Sequence, residues 1–99
     1  MLAVPCAVAA QAPPNKLEAD LAKAKAGYDR DPSSPDNAIW LGRRLGYLGR
    51  FSEAIDTFTQ GIGKHPGDAR LYRHRGHRYI TVRRFAEAQA DFERDPGIV

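Results

Sequence analysis

Residues 41–66, LGRRLGYLGRFSEAIDTFTQGIGKHP, carry the clearest structural pattern in the chain. Apolar residues recur there at steps of three and four, which is typical of amphipathic helices rather than strands. Gly49 interrupts the pattern and Pro66 ends it, so the segment predicts two short helices folded against each other. Gly42 and Ala54 are small and stand where the two backbones must approach closely. The large apolar residues predicted to fill the contact are Leu41, Leu45, Phe51, Ile55 and Phe58.

The same pattern returns 34 residues later, the spacing from Gly42 to Gly76. Six identities share this spacing: Gly42/Gly76, Arg50/Arg84, Phe51/Phe85, Glu53/Glu87, Ala54/Ala88 and Phe58/Phe92. Self-similarity at one fixed period of this length indicates stacked helix pairs.

These residues give the chain a resemblance to the tetratricopeptide repeat family, whose helix pair repeats every 34 residues. The family pattern of Leu-Gly, a large residue, Ala, an aromatic residue and Pro is met by Leu41-Gly42, Leu45, Ala54, Phe58 and Pro66, and in the second copy by Gly76, Tyr79, Ala88 and Phe92. The similarity covers roughly residues 17–95. It implies an all-α fold, a short solenoid of antiparallel helix pairs with about two and a half repeats. It also implies a non-catalytic scaffold for protein–protein interaction.

The helix boundaries follow from capping residues. We predict a first helix from Asn15 to Arg30 with Asn15 as its cap and Glu18 completing a capping box, equivalent to the second helix of a preceding repeat. The next helices are predicted from Pro35 to about Leu48 after the cap Ser34, and from Ser52, itself the cap, to about Gly63. The last pair is predicted from Ala69 to about Val82 after the cap Asp68, and from Phe85 onward.

The two ends of the chain differ from this repeat domain, which we assign to residues 15–95. Residues 1–14 are small and apolar, and predict either a disordered tail or the remnant of a secretory signal peptide that lacks its basic start. Export to the periplasm follows from the second interpretation and a cytoplasmic location from the first. Residues 96–99 form a C-terminal tail, and the absence of a terminal capping helix predicts a truncated piece or an end open to self-association.

Charge is unevenly distributed along the chain. The net charge is +3, yet residues 70–84 hold six arginines, two histidines and no acid. A basic stripe of this kind favours an acidic partner. A single cysteine, Cys6, excludes an intramolecular disulfide, and no apolar run approaches the length of a membrane span.

The family resemblance further implies that the first helix of each pair lines a concave groove. The predicted peptide-binding residues are Trp40, Arg43, Tyr47, Arg70, Arg73, His74 and His77. Arg43, Arg73 and His77 are expected to hold carboxylates, because guanidinium forks match carboxylates at two points. Trp40 and Tyr47 are expected to pack apolar parts of an acidic or C-terminal peptide. The other arginines, Arg75, Arg78, Arg83 and Arg84, are expected to point elsewhere. The stems of Arg75 and Arg78 are expected to cover apolar surface while their charge stays in water.

Other function classes have weaker support. The arginines between residues 69 and 84, interleaved with Tyr72 and Tyr79, leave binding to an RNA backbone as the alternative. His74 and His77 are one turn apart, but nothing on their helix completes a metal site, so no metal and no cofactor are predicted. No motif of a catalytic nucleophile, phosphate loop or metal-dependent hydrolase occurs, so no enzymatic activity is predicted.

Overall fold

The computed structural model describes residues 15–95, and five α-helices account for most of that range. They are α1 (Lys16–Arg30), α2 (Pro35–Tyr47), α3 (Phe51–Lys64), α4 (Ala69–Thr81) and α5 (Phe85–Phe92). No strand occurs between residues 15 and 95. Each helix packs against the next one along the chain, and α2 also contacts α4. The short all-α solenoid predicted from the sequence is therefore confirmed, while the predictions for residues 1–14 and 96–99 lie outside the described residues.

Three of the predicted helix caps are present. The side chain of Ser34 accepts a hydrogen bond from the backbone of Asn37 at 3.2 Å, and Pro35 follows as the first helical residue. Asp68 accepts from the backbone of Arg70 at 3.0 Å. The side chain of Asn15 accepts a hydrogen bond from the backbone N–H of Glu18 at 2.9 Å. The carboxylate of Glu18 accepts in return from the side-chain amide of Asn15, at 3.1 Å. The second hydrogen bond of the predicted capping box therefore joins two side chains.

The prediction that Ser52 caps α3 is wrong. The helix begins one residue earlier, at Phe51, and its N-cap is Arg50, which makes no capping hydrogen bond through its side chain. Gly49 has φ of 78°, and this left-handed conformation reverses the chain soon enough for the helix to start before Ser52. Arg50 instead forms a two-point ion pair with Glu53 in the first turn, at 2.6 and 2.8 Å.

The core lies where α2, α3 and α4 meet. Its buried apolar members are Ala38, Ile39, Leu41, Leu45, Ala54, Phe58 and Leu71, and Leu21, Ala24, Tyr28 and Ile62 pack against them from the edge. A second, smaller cluster joins Ile55, Tyr79 and Ala88, flanked by Val82 and Phe92. Ala54 is 0% exposed, which confirms that a small residue is needed there.

The two equivalent glycines allow an aromatic ring to lie directly on a helix backbone. A Cβ atom on Gly42 would clash with Cε1 and Cζ of the Phe58 ring, and one on Gly76 would lie 2.6 Å from Cε1 of Phe92. The repeated Gly–Phe pair is therefore the packing element that fixes the distance between the helices of each pair.

Two buried carboxylates join α4 to the end of the described chain. Asp91 on α5 is 4% exposed and binds the guanidinium of Arg75 at 2.7 and 2.8 Å. The same guanidinium donates a further hydrogen bond to the hydroxyl of Thr59 at 3.1 Å. Asp95, 1% exposed, pairs in the same two-point manner with Arg73. The expectation that the Arg75 charge lies in water is thus wrong, because a carboxylate 16 residues further along the chain neutralises it.

Candidate peptide-binding groove

A groove runs over α2 and α4, the first helices of the two pairs. It consists of two adjoining depressions of about 380 and 190 Å³, which share Arg43 and His74. Its lining residues are Asp36, Ile39, Trp40, Arg43 and Tyr47 from α2, Phe58 from α3, and Arg70, His74, His77 and Arg78 from α4. Of the predicted binding residues, all but Arg73 line this groove.

One part of the groove consists of an arginine and two half-exposed aromatic rings. Trp40 is 46% exposed and Tyr47 is 49% exposed, unusually high values for such large side chains. The guanidinium carbon of Arg43 lies 5.5 Å from the centre of the Trp40 ring and 5.9 Å from that of Tyr47. Arg43 also donates to the Tyr47 hydroxyl at 3.0 Å, and this hydrogen bond lowers the pKa of the phenol. Cation–π contacts and the hydrogen bond thus hold the three side chains as one surface.

Arg70 and Arg73 already bind carboxylates of their own chain. Arg70 pairs with Asp68 at 2.8 Å and with Asp36 across the groove at 2.9 Å. Arg73 is directed to Asp95 at the end of the described chain and does not line the groove. The sequence pattern identified arginines suited to carboxylates, and the structure supplies those carboxylates internally for these two.

The two histidines differ in their surroundings. His74 stacks on the buried ring of Phe58, with the ring centres 5.8 Å apart. Burial, reinforced by the nearby charges of Arg43 and Arg73, lowers the pKa of His74 to about 4. It is therefore neutral near pH 7 and does not add to the positive charge of the groove. His77 is exposed and meets Phe92 edge to face at 5.2 Å.

Arg78 lies in the groove, although the sequence predicted that it points elsewhere. Arg78 lines the groove beside Tyr47 and His77, and its guanidinium carbon lies 5.7 Å from the ring centre of Phe51. The signal was present, because Arg78 follows His74 by four residues and so shares its helix face. Within residues 15–95, neither Arg43 nor Arg78 pairs with a carboxylate, and they supply the uncompensated charge of the groove.

The same pairing changes the meaning of the arginine-rich helix. Four of the six arginines between residues 70 and 84 bind carboxylates: Arg70, Arg73, Arg75 and Arg84, the last to Glu87 at 2.7 Å. The RNA-binding alternative rested on these charges being available together for phosphates. Their neutralisation removes most of that support.

The described residues contain neither a membrane-spanning helix nor a metal-binding cluster. No helix between residues 15 and 95 is long and apolar enough to cross a bilayer. Within the same range no three His, Cys, Asp or Glu side chains lie close enough together to hold a metal ion. What the groove offers a ligand is ionic contact, hydrogen bonding and aromatic stacking.

Comparison with known proteins agrees with the repeat pattern. Human tetratricopeptide repeat protein 13 is 38% identical to this chain over 63 residues, which are 64% of this chain and 7% of that protein. A solved structure of MamA AMB-1 matches with a TM-score of 0.74 at 26% identity, covering 85% of this chain and 49% of that one. A structure of MamA MSR-1 matches with a TM-score of 0.72 at 26% identity, covering 80% and 45%. No protein-family profile matches the chain.

The chain therefore spans 7% of the length of its human relative and about half of the MamA chains. Sequence similarity to a protein of this repeat type, the 34-residue period with its Gly–Phe pairs, and the solenoid of paired helices all point the same way. Together they support a relationship between this chain and the tetratricopeptide repeat family.

Proposed function

We propose that the groove over α2 and α4 binds an acidic peptide segment, or the free C-terminus of a partner protein. Tetratricopeptide repeats generally act as non-catalytic scaffolds for protein–protein interaction, and this chain has their fold. The proposal adds the chemistry of the ligand and the side that receives it.

One observation carries the proposal. Arg43 lies between two half-exposed aromatic rings in a groove, with no carboxylate partner among residues 15–95. The hydrogen bond to Tyr47 orients its guanidinium while leaving other donors free. A carboxylate is the partner that a guanidinium fork binds best, and the flat rings beside it suit apolar side chains of the same peptide.

The remaining groove residues take different parts in this proposal. Arg78 provides a second positive charge at the Tyr47 end of the groove. Neutral His74 provides hydrogen bonding, and exposed His77 stays a candidate carboxylate contact. Arg70 would contact the ligand only by sharing its fork with Asp36 and Asp68.

Fluorescence anisotropy of a labelled peptide provides the test. The probe is a decapeptide rich in Asp, Glu and Leu with a free C-terminal carboxylate, compared with the same peptide amidated at its C-terminus. We expect Arg43→Gln to weaken binding about tenfold, since a charge-assisted hydrogen bond to a desolvated carboxylate is worth roughly 1.4 kcal/mol or more. The matched control is Arg83→Gln, which removes the same charge from an exposed arginine outside the groove.

The two arginine variants separate a defined groove from general electrostatic attraction. Equal weakening by Arg43→Gln and Arg83→Gln would show that charge alone attracts the peptide, and would refute the groove. Stronger binding of a single-stranded RNA oligonucleotide than of the peptide, with a steep fall as salt rises, would favour the nucleic-acid alternative. Self-association through the α5 end stays a separate prediction, which sedimentation of the free chain would measure.

A further inference from the structure

The internal repeat shows how the first helix of a pair is held in this protein. α2 packs against a surface formed by α3 and α4, and small residues mark the contacts. A Cβ on Gly42 would clash with the edge of the Phe58 ring, and one on Gly46 would lie 2.9 Å from a guanidinium nitrogen of Arg78. On the α3 side, a Cβ on Gly61 would lie 3.3 Å from the Cβ of Ala38. The fourth, eighth and twelfth residues of α2, Ala38, Gly42 and Gly46, therefore face this surface.

An equivalent surface lies one repeat earlier, between α1 and α2. The filled surface consists of residues that contact α2 or lie beside those contacts: Ala54, Phe58, Gly61, Leu71, His74 and Arg78. Each has an equivalent 34 places earlier, and these equivalents are, in the same order, Asp20, Ala24, Gly27, Asn37, Trp40 and Arg44. All six of the earlier set line one depression of about 290 Å³, together with Lys23 and Arg30. We call this depression the N-terminal cleft. It has the position that a further first helix would occupy.

The N-terminal cleft differs from the filled surface in size and polarity. Phe58 is 1% exposed and fills the space against Gly42, whereas its equivalent Ala24 leaves that space empty. A helix bound there would need a larger side chain at its eighth position to replace the missing ring volume.

The charge around the N-terminal cleft is positive. Lys23, Arg30 and Arg44 line it and pair with no carboxylate among residues 15–95. The acid that lines it, Asp20, is bound to Lys16 at 3.2 Å. Since Arg44 is equivalent to Arg78, which lies beside Gly46, a carboxylate at the twelfth position of a bound helix would meet Arg44.

The positive charge of the cleft bears on the source of a helix bound there. Residues 1–14, MLAVPCAVAAQAPP, contain no Asp or Glu and so carry no carboxylate for Arg44. A helix with that carboxylate is therefore sought in another molecule.

We propose that the N-terminal cleft binds an amphipathic helix of a partner protein. That helix carries a small residue, a branched aliphatic residue and a carboxylate at three successive four-residue steps along one face. The small residue packs on Gly27 and Asn37, the aliphatic residue fills the space over Ala24, and the carboxylate binds Arg44. This site shares Trp40 with the groove over α2 and α4, but its other lining residues are different, and it does not depend on the function proposed for that groove.

A stapled helix of the length of α2, 13 residues, is the probe. Its background is alanine and glutamine, with alanine at place four, leucine at place eight and glutamate at place twelve. Anisotropy of a fluorescein label gives the affinity. Quenching of the single tryptophan, Trp40, by acrylamide reports coverage of the cleft or of the groove, and the variants of Ala24 and Arg44 assign it to the cleft. We expect binding that shields Trp40 from the quencher.

A size exchange makes the test specific. Ala24→Phe recreates the ring of the filled surface, so it is expected to weaken the leucine probe at least about tenfold and to favour a probe with glycine at place eight. Arg44→Glu is expected to reverse the preference at place twelve from glutamate to lysine. Arg83→Glu is the matched control and should change neither preference.

Three results would overturn the proposal. One is the absence of saturable binding up to millimolar probe. Another is a leucine-to-glycine preference that Ala24→Phe leaves unchanged. The last is a rise in the accessibility of Trp40 when residues 1–14 are removed from the free chain. Such a rise would mean that these residues occupy the cleft in the full chain.

Discussion

Replacement of Gly42 by alanine is expected to destabilise the fold by about 1–2 kcal/mol. The new Cβ would clash with Cε1 and Cζ of the Phe58 ring, which is 1% exposed. Overpacking of this kind costs about 1–3 kcal/mol. Alanine is favoured over glycine within a helix by up to about 1 kcal/mol, which offsets part of that cost. The net change is opposite in sign to the one that helix propensity alone predicts.

Gly63→Ala in α3 is the matched control, because a Cβ there would meet nothing within 4 Å. We expect it to be neutral or to stabilise the protein by a few tenths of a kcal/mol, up to about 1 kcal/mol. Urea denaturation of both variants measures the difference, and about 1 kcal/mol corresponds to a shift in Tm of roughly 4–8 °C for a domain of this size. A Gly42→Ala variant as stable as Gly63→Ala would refute the role of the Gly–Phe pair in setting the helix spacing.

Three further predictions concern the core, the buried ion pair and the groove. Ala54→Leu should lower the free energy of unfolding by about 1–3 kcal/mol through overpacking, because Ala54 is 0% exposed. Asp91→Ala should cost about 3–5 kcal/mol, since it leaves the Arg75 charge largely buried without a partner. His74 has a pKa of about 4 in the folded chain, against the ordinary value of 6.5 expected for the unfolded chain. The unfolded chain therefore binds more protons between these two pH values. Stability should therefore rise with pH from about 4 to 6.5, and His74→Gln should flatten this part of the profile.

Each of these predictions has its own check in chemical or thermal denaturation. An unchanged Tm for Ala54→Leu would contradict the assigned repeat register. The double variant Arg75→Leu/Asp91→Thr carries the residues of the first copy at these places, and it should recover most of the loss caused by Asp91→Ala. A failure to recover would mean that the ion pair itself, rather than the unpaired charge, accounts for the cost. An identical pH profile for His74→Gln would contradict the burial of a neutral imidazole on Phe58.

The 34-residue period predicted most of the fold because the same packing residues occur twice along the chain. The Gly–Phe pairs, the small residue at Ala54 and the caps Ser34 and Asp68 are local or periodic features, and all are found in the structure. The start of α3 was misplaced by one residue, because a left-handed φ at Gly49 depends on how the two helices meet rather than on the preference of Ser52 for capping.

The partners of the arginines were harder to predict, because ion pairs between helices join residues distant in sequence. Arg73 and Asp95 are 22 residues apart, and nothing local connects them. For Arg75 and Asp91 the two copies did hold a signal. Their equivalents in the first copy are Leu41 and Thr57, which line one depression together. A charge that replaces an apolar residue at one of two adjacent places predicts an opposite charge at the other.

The internal ion pairs also change which helix supplies positive charge for binding, from α4 to α2. The sequence placed the basic character on α4, yet carboxylates of Asp36, Asp68, Asp91 and Asp95 neutralise three of its arginines. Arg43 and Arg44 on α2 are among the arginines that lie over exposed aromatic rings and pair with no carboxylate within residues 15–95. Arg43 faces the groove over α2 and α4, and Arg44 faces the N-terminal cleft. Because Trp40 lines both depressions, a ligand in either one should alter its emission, while only the variant of the matching arginine should abolish that change.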